Sequence, residues 1–182
     1  MSDAVQETRR VLLAQSGDRA SLDELFESLE SPLGGYVLSL VGRRELAEDI
    51  LQEVFILIYR KLYWLREPAL FRPWAYRIAS REVVRQLKRE RAWRDRAGDD
   101  AALDTLPAAE TDAGFRPEWR ERLPELLTRL SPASRMVVVL HYLHEMPLAE
   151  VAEVLGLPLG TTKSRLAYGL AALRKEVLKL AV

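Results

Sequence analysis

The chain has 182 residues, with 27 Lys and Arg against 27 Asp and Glu, 48% hydrophobic content and no cysteine. That is enough apolar material for one or two small globular domains, and it excludes disulfides, thiolate zinc sites and cysteine nucleophiles. The longest uncharged stretch, residues 31–42, falls short of the roughly 18 residues a membrane helix needs, and the acidic start Met1-Ser2-Asp3 is unlike a signal peptide, so no membrane insertion and a cytoplasmic location are expected. The zero net charge hides segregation. Residues 1–53 carry net −6, 72–96 net +6, 97–128 net −5 and 160–182 net +4. Two basic islands separated by acidic surface fit two contacts with a polyanion; ordinary solvated helix faces would give the same sums.

Helical periodicity dominates and period-two runs are missing, so the expected class is all-α. A first helix is predicted over 3–15, closed by Gly17-Asp18. A second spans 19–42 and is expected to be interrupted near Ser31-Pro32, because proline removes a backbone donor and clashes with the preceding turn. The third, over 44–65, aligns Leu46, Ile50, Val54 and Leu57 and ends before Pro68. The fourth runs from Arg72-Pro73 to residue 91. On it Tyr76, Ala79, Val83 and Leu87 fall within an arc of about 80°, opposite Arg77, Arg81, Arg85 and Lys88. Trp74 and Ile78 lie nearer the basic side, so either two elements pack here or apolar surface is exposed. Residues 97–118 are rich in Asp, Glu, Gly and Pro and read as a flexible acidic linker.

Beyond the linker, a short helix near 119–130 precedes Ser131-Pro132, an N-cap and an N1 proline. These open a strongly apolar helix through Met136, Val137, Val139, Leu140 and Leu143. Pro147 ends it and begins a helix-turn-helix pattern over 147–177. Leu148, Val151, Ala152 and Leu155 pack its first helix, Gly156 makes the turn, and Leu166, Leu170, Leu173 and Val177 are expected to line the second. Thr161, Ser164, Arg165 and Tyr168 stand on the opposite arc with Lys163 beside them, as major-groove reading requires. A helical hairpin with a polar exterior is the plainer alternative. His141 and His144 are spaced i, i+3, but no acidic or thiolate ligands cluster with them, and no cofactor or metal is expected. Neither a nucleophile elbow nor a glycine-rich phosphate loop is present, so the chain is not expected to be an enzyme.

Four strings in order, A-E-D-I-L-Q-E-V-F at 47–55, F-R-P-W-A-Y-R-I-A-S at 71–80, L-S-P-A-S-R-M-V-V-V-L at 130–140 and G-L-P-L-G-T-T-K-S-R-L at 156–166, resemble bacterial RNA polymerase sigma factors of the extracytoplasmic-function (ECF) group of the sigma-70 family. The resemblance implies two small helical domains: region 2 over 1–96, which binds core polymerase and recognises and melts the minus-10 element, and region 4 over 119–182, the helix-turn-helix that recognises the minus-35 element. The 97–118 linker would join them. By similarity Asp49, Gln52, Glu53 and Phe55 would face core polymerase. Trp64, Phe71, Trp74, Arg77, Arg81, Arg85 and Lys88 would meet single-stranded minus-10 DNA, and Thr161, Lys163, Ser164, Arg165 and Tyr168 the minus-35 duplex. An anti-sigma factor is an implied partner.

Two departures bear on this reading. Where the family commonly carries an Arg-Asn pair and then an aspartate, this chain has Ser80-Arg81 and then Arg85, which makes the surface more cationic and removes an amide that could read a base. After K-S-R-L the family often places arginines, and this chain has Tyr168 and Leu170, so region 4 is expected to make fewer phosphate contacts and to show a shallower salt dependence. The rival functions are a stand-alone helix-turn-helix regulator that binds duplex DNA as a dimer, and a sigma-like interaction protein with decayed promoter contacts. The acidic linker reads equally well as a tether or as an occupant of polymerase channels built for nucleic acid.

Overall fold

The computed structural model describes residues 3–96 and 123–180, and every regular element among them is helical. The first unit contains α1 (Asp3–Gln15), α2 (Arg19–Val41), α3 (Arg44–Leu62), a 3-10 turn (Pro68–Leu70) and α4 (Phe71–Arg96). The second contains α5 (Leu123–Thr128), α6 (Pro132–Val138) continuing through a π-helical turn (Val139–Leu143), α7 (Leu148–Leu155) and α8 (Leu159–Leu180). The acidic stretch expected to be a linker lies outside the described residues.

Helix α2 is capped at its start by the Asp18 carboxylate, which accepts from the Ser21 N–H at 2.9 Å. Hydrogen bonding from the Ser21 side chain, and then from its N–H, holds the carboxyl below its ordinary pKa. The helix ends on Gly42 in the left-handed region. Contrary to the expected break, α2 runs straight through Pro32. A proline inside a helix costs about 3 kcal/mol, whereas burying a leucine side chain stabilises by about 1.5–3 kcal/mol. Leu25, Leu29, Leu33, Tyr36 and Val37 are all fully buried along one side, and that stripe offsets the proline.

Helix α3 stops at Leu62, three residues early. The next carbonyls are taken by α1 instead: Gln15 Nε2 donates to the Leu62 and Leu65 oxygens, each at 2.8 Å. The chain therefore leaves the helix axis just where Tyr63 and Trp64 emerge. Helix α4 outruns its predicted end and is enclosed by α2, α3 and α7. This resolves the ambiguity at Ile78, which is buried with Ala75 and Ala79 because elements pack on more than one side of the helix.

In the second unit Ser131 accepts from the Ser134 N–H and Pro132 occupies the first turn of α6, as the sequence suggests. The seam of α8 differs from expectation. It runs through Thr162, Leu166, Gly169 and Leu173, rotated by about 40° from the predicted stripe, and Leu170 is exposed. The reason is a glycine: a Cβ on Gly169 would lie 2.7 Å from Val138 Cγ2, so α8 approaches α6 most closely where there is no side chain.

The two units also pack against one another. Their buried apolar side chains form one continuous cluster reaching from Val11 to Val154. Thr128 at the end of α5 lies so near Gly42 that a Cβ there would stand 3.1 Å from its methyl group.

Candidate nucleic-acid interface

Helix α8 begins one turn beyond Gly156, whose φ of 66° and hydrogen bonds back to α7 reverse the chain sharply. Thr162 fixes the start of α8 from inside: it is fully buried, and its hydroxyl donates to the Pro158 carbonyl at 3.2 Å. With that side anchored, Lys163, Ser164 and Tyr168 are exposed, while Thr161 and Arg165 are half-buried beside them. The helix N-terminus supplies unpaired backbone N–H groups and a partial positive charge at the same end, an arrangement suited to phosphate and base edges together.

The basic face of α4 is less uniform than its sequence. Arg81 and Lys88 are exposed, with no ion-pair partner among the described residues. Arg85 is exposed too, but its guanidinium is fastened to Glu82 by bonds of 2.7, 2.9 and 3.0 Å. Glu82 is 4% exposed and also accepts from Gln86, so Arg85 serves mainly to balance a buried carboxylate. That bonding raises the Arg85 pKa, with a smaller push from Glu53 across on α3. Arg77 reaches away from the track: its Nη2 donates to the Glu153 carbonyl at the end of α7 at 2.8 Å. Its Nε is buried with no hydrogen-bond partner among the described residues, an arrangement that costs about 1–3 kcal/mol.

The aromatic candidates divide. Trp64 is 75% exposed, braced edge-on by Tyr63 at 5.5 Å, with Tyr59 exposed on the preceding turn. Trp74 is half-buried and lies over Phe71, their ring centroids 6.2 Å apart. Phe71 itself is completely buried. Its expected role as a DNA contact is corrected: as the first residue of α4 its ring is enclosed by the core and offers no face to a base.

On α3, Asp49 and Gln52 are exposed and Glu53 half-exposed on one face. Phe55 is half-buried and packs on Phe26 with centroids 5.1 Å apart, so it braces this surface at its edge. The exposed apolar residue among Asp49, Gln52 and Glu53 is Ile56, 38% exposed. Its position three residues past Glu53 and four past Gln52 was the signal that could have identified it.

Two residues that sequence reasoning left unassigned join the units. Arg135 is 8% exposed, and its guanidinium donates to the carbonyls of Thr128, Leu130 and Leu40, the last across the boundary between units. Burial lowers its pKa. His144 Nδ1 lies 2.8 Å from Tyr76 Oη, and the imidazole stands edge-on to both Tyr36 and Tyr76. Tyr36 in turn shares a 2.7 Å hydrogen bond with Ser80. Burial pushes the Tyr76 phenol up to about 12, raises Tyr36 further, and lowers His144 below its ordinary value. His141 is used locally, its Nδ1 donating to the Met146 carbonyl at 2.8 Å. No metal-binding group of His, Cys, Asp and Glu occurs among the described residues, and no described helix is long and apolar enough to cross a membrane.

Comparison with known proteins matches residues 25–94 to Sigma-70 region 2 and residues 126–175 to Sigma-70, region 4. The ECF RNA polymerase sigma factor SigW of Bacillus subtilis is 25% identical over 178 residues, covering 93% of this chain and 95% of the relative. The RNA polymerase sigma-E factor of Streptomyces avermitilis is 30% identical over 132 residues, 72% of this chain and 70% of the relative. Among solved structures, the sigma factor RpoE in complex with the anti-sigma factor NepR from Bartonella quintana shares the fold with a TM-score of 0.67 at 22% identity. That match covers 86% of this chain and 96% of that one.

Proposed function

The chain belongs to the sigma-70 family of RNA polymerase sigma factors, in its ECF group, and from that premise we propose how its surfaces divide the work of initiation. Sigma factors are initiation factors, not enzymes, so recognition surfaces carry the whole function. The exposed side of α3, with Asp49, Gln52, Glu53 and Ile56, docks on core polymerase: an apolar centre with a polar rim is the anatomy of a specific protein interface, and the acidic rim selects a basic partner surface. Arg81 and Lys88 follow the backbone of the opened minus-10 strand, with Arg77 joining them when it is released from α7. Trp64 supplies a π-face for an unstacked base. The start of α8 reads the minus-35 duplex, Arg165 and Ser164 toward base edges and Lys163 toward phosphate.

The observation that carries this reading is the geometry of α7 and α8. A glycine-bent pair presents Lys163, Ser164 and Tyr168 outward from the first turns of the second helix, in the same chain as an exposed acidic-apolar face on α3. The partner class that restrains such a protein is an anti-sigma factor, a reading supported by the RpoE–NepR complex whose fold the chain shares. A binding titration of labelled chain with purified core polymerase tests the assignment. Ile56→Asp and Asp49→Arg should each weaken the complex at least tenfold while Phe55→Leu weakens it less. A chain that ignores core but protects palindromic duplex DNA by itself would instead be a stand-alone regulator. One that binds core and initiates nowhere would be a sigma-like protein with decayed promoter contacts.

A further inference from the structure

Balancing Glu82 occupies only one side of the Arg85 guanidinium. The carboxylate accepts from Nε at 2.9 and 3.0 Å and from Nη2 at 2.7 Å, a side-on fork that fixes the plane of the group. Arginine has five N–H donors, one on Nε and two on each Nη. The outer edge, formed by Nη1 and the second N–H of Nη2, therefore keeps its donors, and no bond from Nη1 occurs among the described residues. Glu82 is 4% exposed and also accepts from Gln86 Nε2 at 3.1 Å, whereas the Arg85 side chain is 53% exposed. A buried carboxylate thus carries an exposed guanidinium in a set orientation. We infer that Glu82 and Arg85 form a base-reading unit, in which the carboxylate positions the guanidinium and the free edge donates to the O6 and N7 acceptors of a guanine in the minus-10 region. This rests on the sigma-factor reading and adds a base to a surface otherwise assigned to phosphates.

Charge, donor geometry and the neighbouring residues all select a base edge. Phosphate also accepts two parallel N–H donors, but Glu82 cancels the charge of Arg85 and Glu53 on α3 adds negative charge nearby. The Coulomb attraction that draws a cation to phosphate is thereby largely cancelled. A base edge is neutral and requires only aligned donors. Among the four bases guanine alone offers two adjacent acceptors: adenine sets a donor beside N7, cytosine presents a donor, and thymine has one acceptor next to a methyl group. Arg81 and Lys88 share the face of α4 with Arg85, within an arc of about 60°, and lie about 10 Å apart along the axis. Both are exposed, without an ion-pair partner among the described residues, so they can hold the backbone on either side of the reader. An arginine already fixed by a carboxylate also has little side-chain freedom left to lose when the base arrives.

Modified bases test the contact on the unaltered full-length chain. Core polymerase loaded with the chain is given a promoter library randomised across the minus-10 region, and sequencing of the transcribed templates should show guanine enriched at one position. Replacing that guanine by 7-deazaguanine, which lacks the N7 acceptor, should weaken binding of the loaded polymerase about tenfold, whereas hypoxanthine, which keeps O6 and N7, should bind within about twofold of guanine. Arg85→Lys keeps the charge but loses the fork, and should bring the guanine and 7-deazaguanine promoters within about twofold of each other. Glu82→Gln, with helix content checked by circular dichroism, should narrow the same ratio to a smaller degree, because an amide holds the guanidinium less firmly. A merely structural role for Glu82 would weaken both promoters alike and leave their ratio unchanged. A library without guanine enrichment, or a ratio that survives in Arg85→Lys, overturns the inference while chain-dependent transcription leaves the sigma-factor reading standing. No chain-dependent transcript from any template would overturn that reading, and the base contact with it.

Discussion

Helices α4 and α8 are both cationic and both assigned to DNA, yet the fold treats them differently. Helix α8 is anchored along one seam and turns its N-terminal face outward. Helix α4 is packed by α2, α3 and α7, and two of its four track cations are engaged within the protein, Arg77 with the end of α7 and Arg85 with Glu82. A count of positive charge therefore overstates the surface proposed for minus-10 DNA and describes the surface proposed for the minus-35 element fairly. A basic helix is a phosphate track only to the extent that its cations are not already balancing buried carboxylates or helix ends.

Several measurements would break or sharpen that contrast. The largest effect should come from Gly169→Val, which forces side-chain atoms into the closest approach of α6 and α8 and should lower stability by about 3 kcal/mol in chemical denaturation; a change under about 0.5 kcal/mol would mean that α8 is not anchored as described. Arg165→Ala should weaken binding to an upstream promoter fragment by about 2 kcal/mol without altering affinity for core polymerase. Loss of core binding would instead make Arg165 a structural residue. On α4, replacing Arg81 and Lys88 together by Ala should reduce the slope of log affinity against log salt by about 1.4 on opened minus-10 DNA, about 0.7 for each single-strand phosphate contact. Arg85→Ala should hardly change that slope, because its charge is already matched by Glu82. Equal effects of the two changes would restore the uniform track that the sequence suggests.

The smallest effect concerns pH. His144 titrates below its ordinary value of 6.5 in the folded chain because burial disfavours its charge. Unfolding returns the imidazole to water and to its ordinary value, so the unfolded chain binds more protons. The contribution of His144 to stability is therefore complete above about pH 6.5 and is lost as the pH falls through that value toward the lowered one. Tyr36 and Tyr76 face the same ring but stay protonated throughout this window, since burial moves both upward. Chemical denaturation should show a modest loss of stability between pH 7 and pH 6, and His144→Ala should remove that part of the dependence.

Much of the architecture was legible because it depends on local signals. The Ser131 cap, the Gly156 reversal and the apolar spacing of α3 each act within a turn or two of chain. Sequence and structure part where packing decides. Pro32 reads as a break until the leucines on either side are known to be buried, and Gly169 reads as a weak helix residue until Val138 is found against it. Phe71 has the composition of a contact residue, but only the third dimension encloses its ring and leaves Ile56 and Trp64 outside. Arg135 illustrates the deepest limit. A lone arginine in an apolar helix resembles a solvated charge, and nothing local reveals that carbonyls from the ends of α2 and α5 converge on it. Joining of the two units was invisible for the same reason: periodicity says that a face is buried without saying against what.

Mapping transcript 5′ ends made by purified core polymerase on a genomic fragment library, with and without the chain, tests the central claim most directly. A sigma factor should produce new start sites that depend on the chain and share two upstream elements at fixed spacing, with the upstream element losing its influence in Arg165→Ala. Identical 5′ ends in the presence and absence of the chain, under conditions where the two proteins form a complex, would contradict that role.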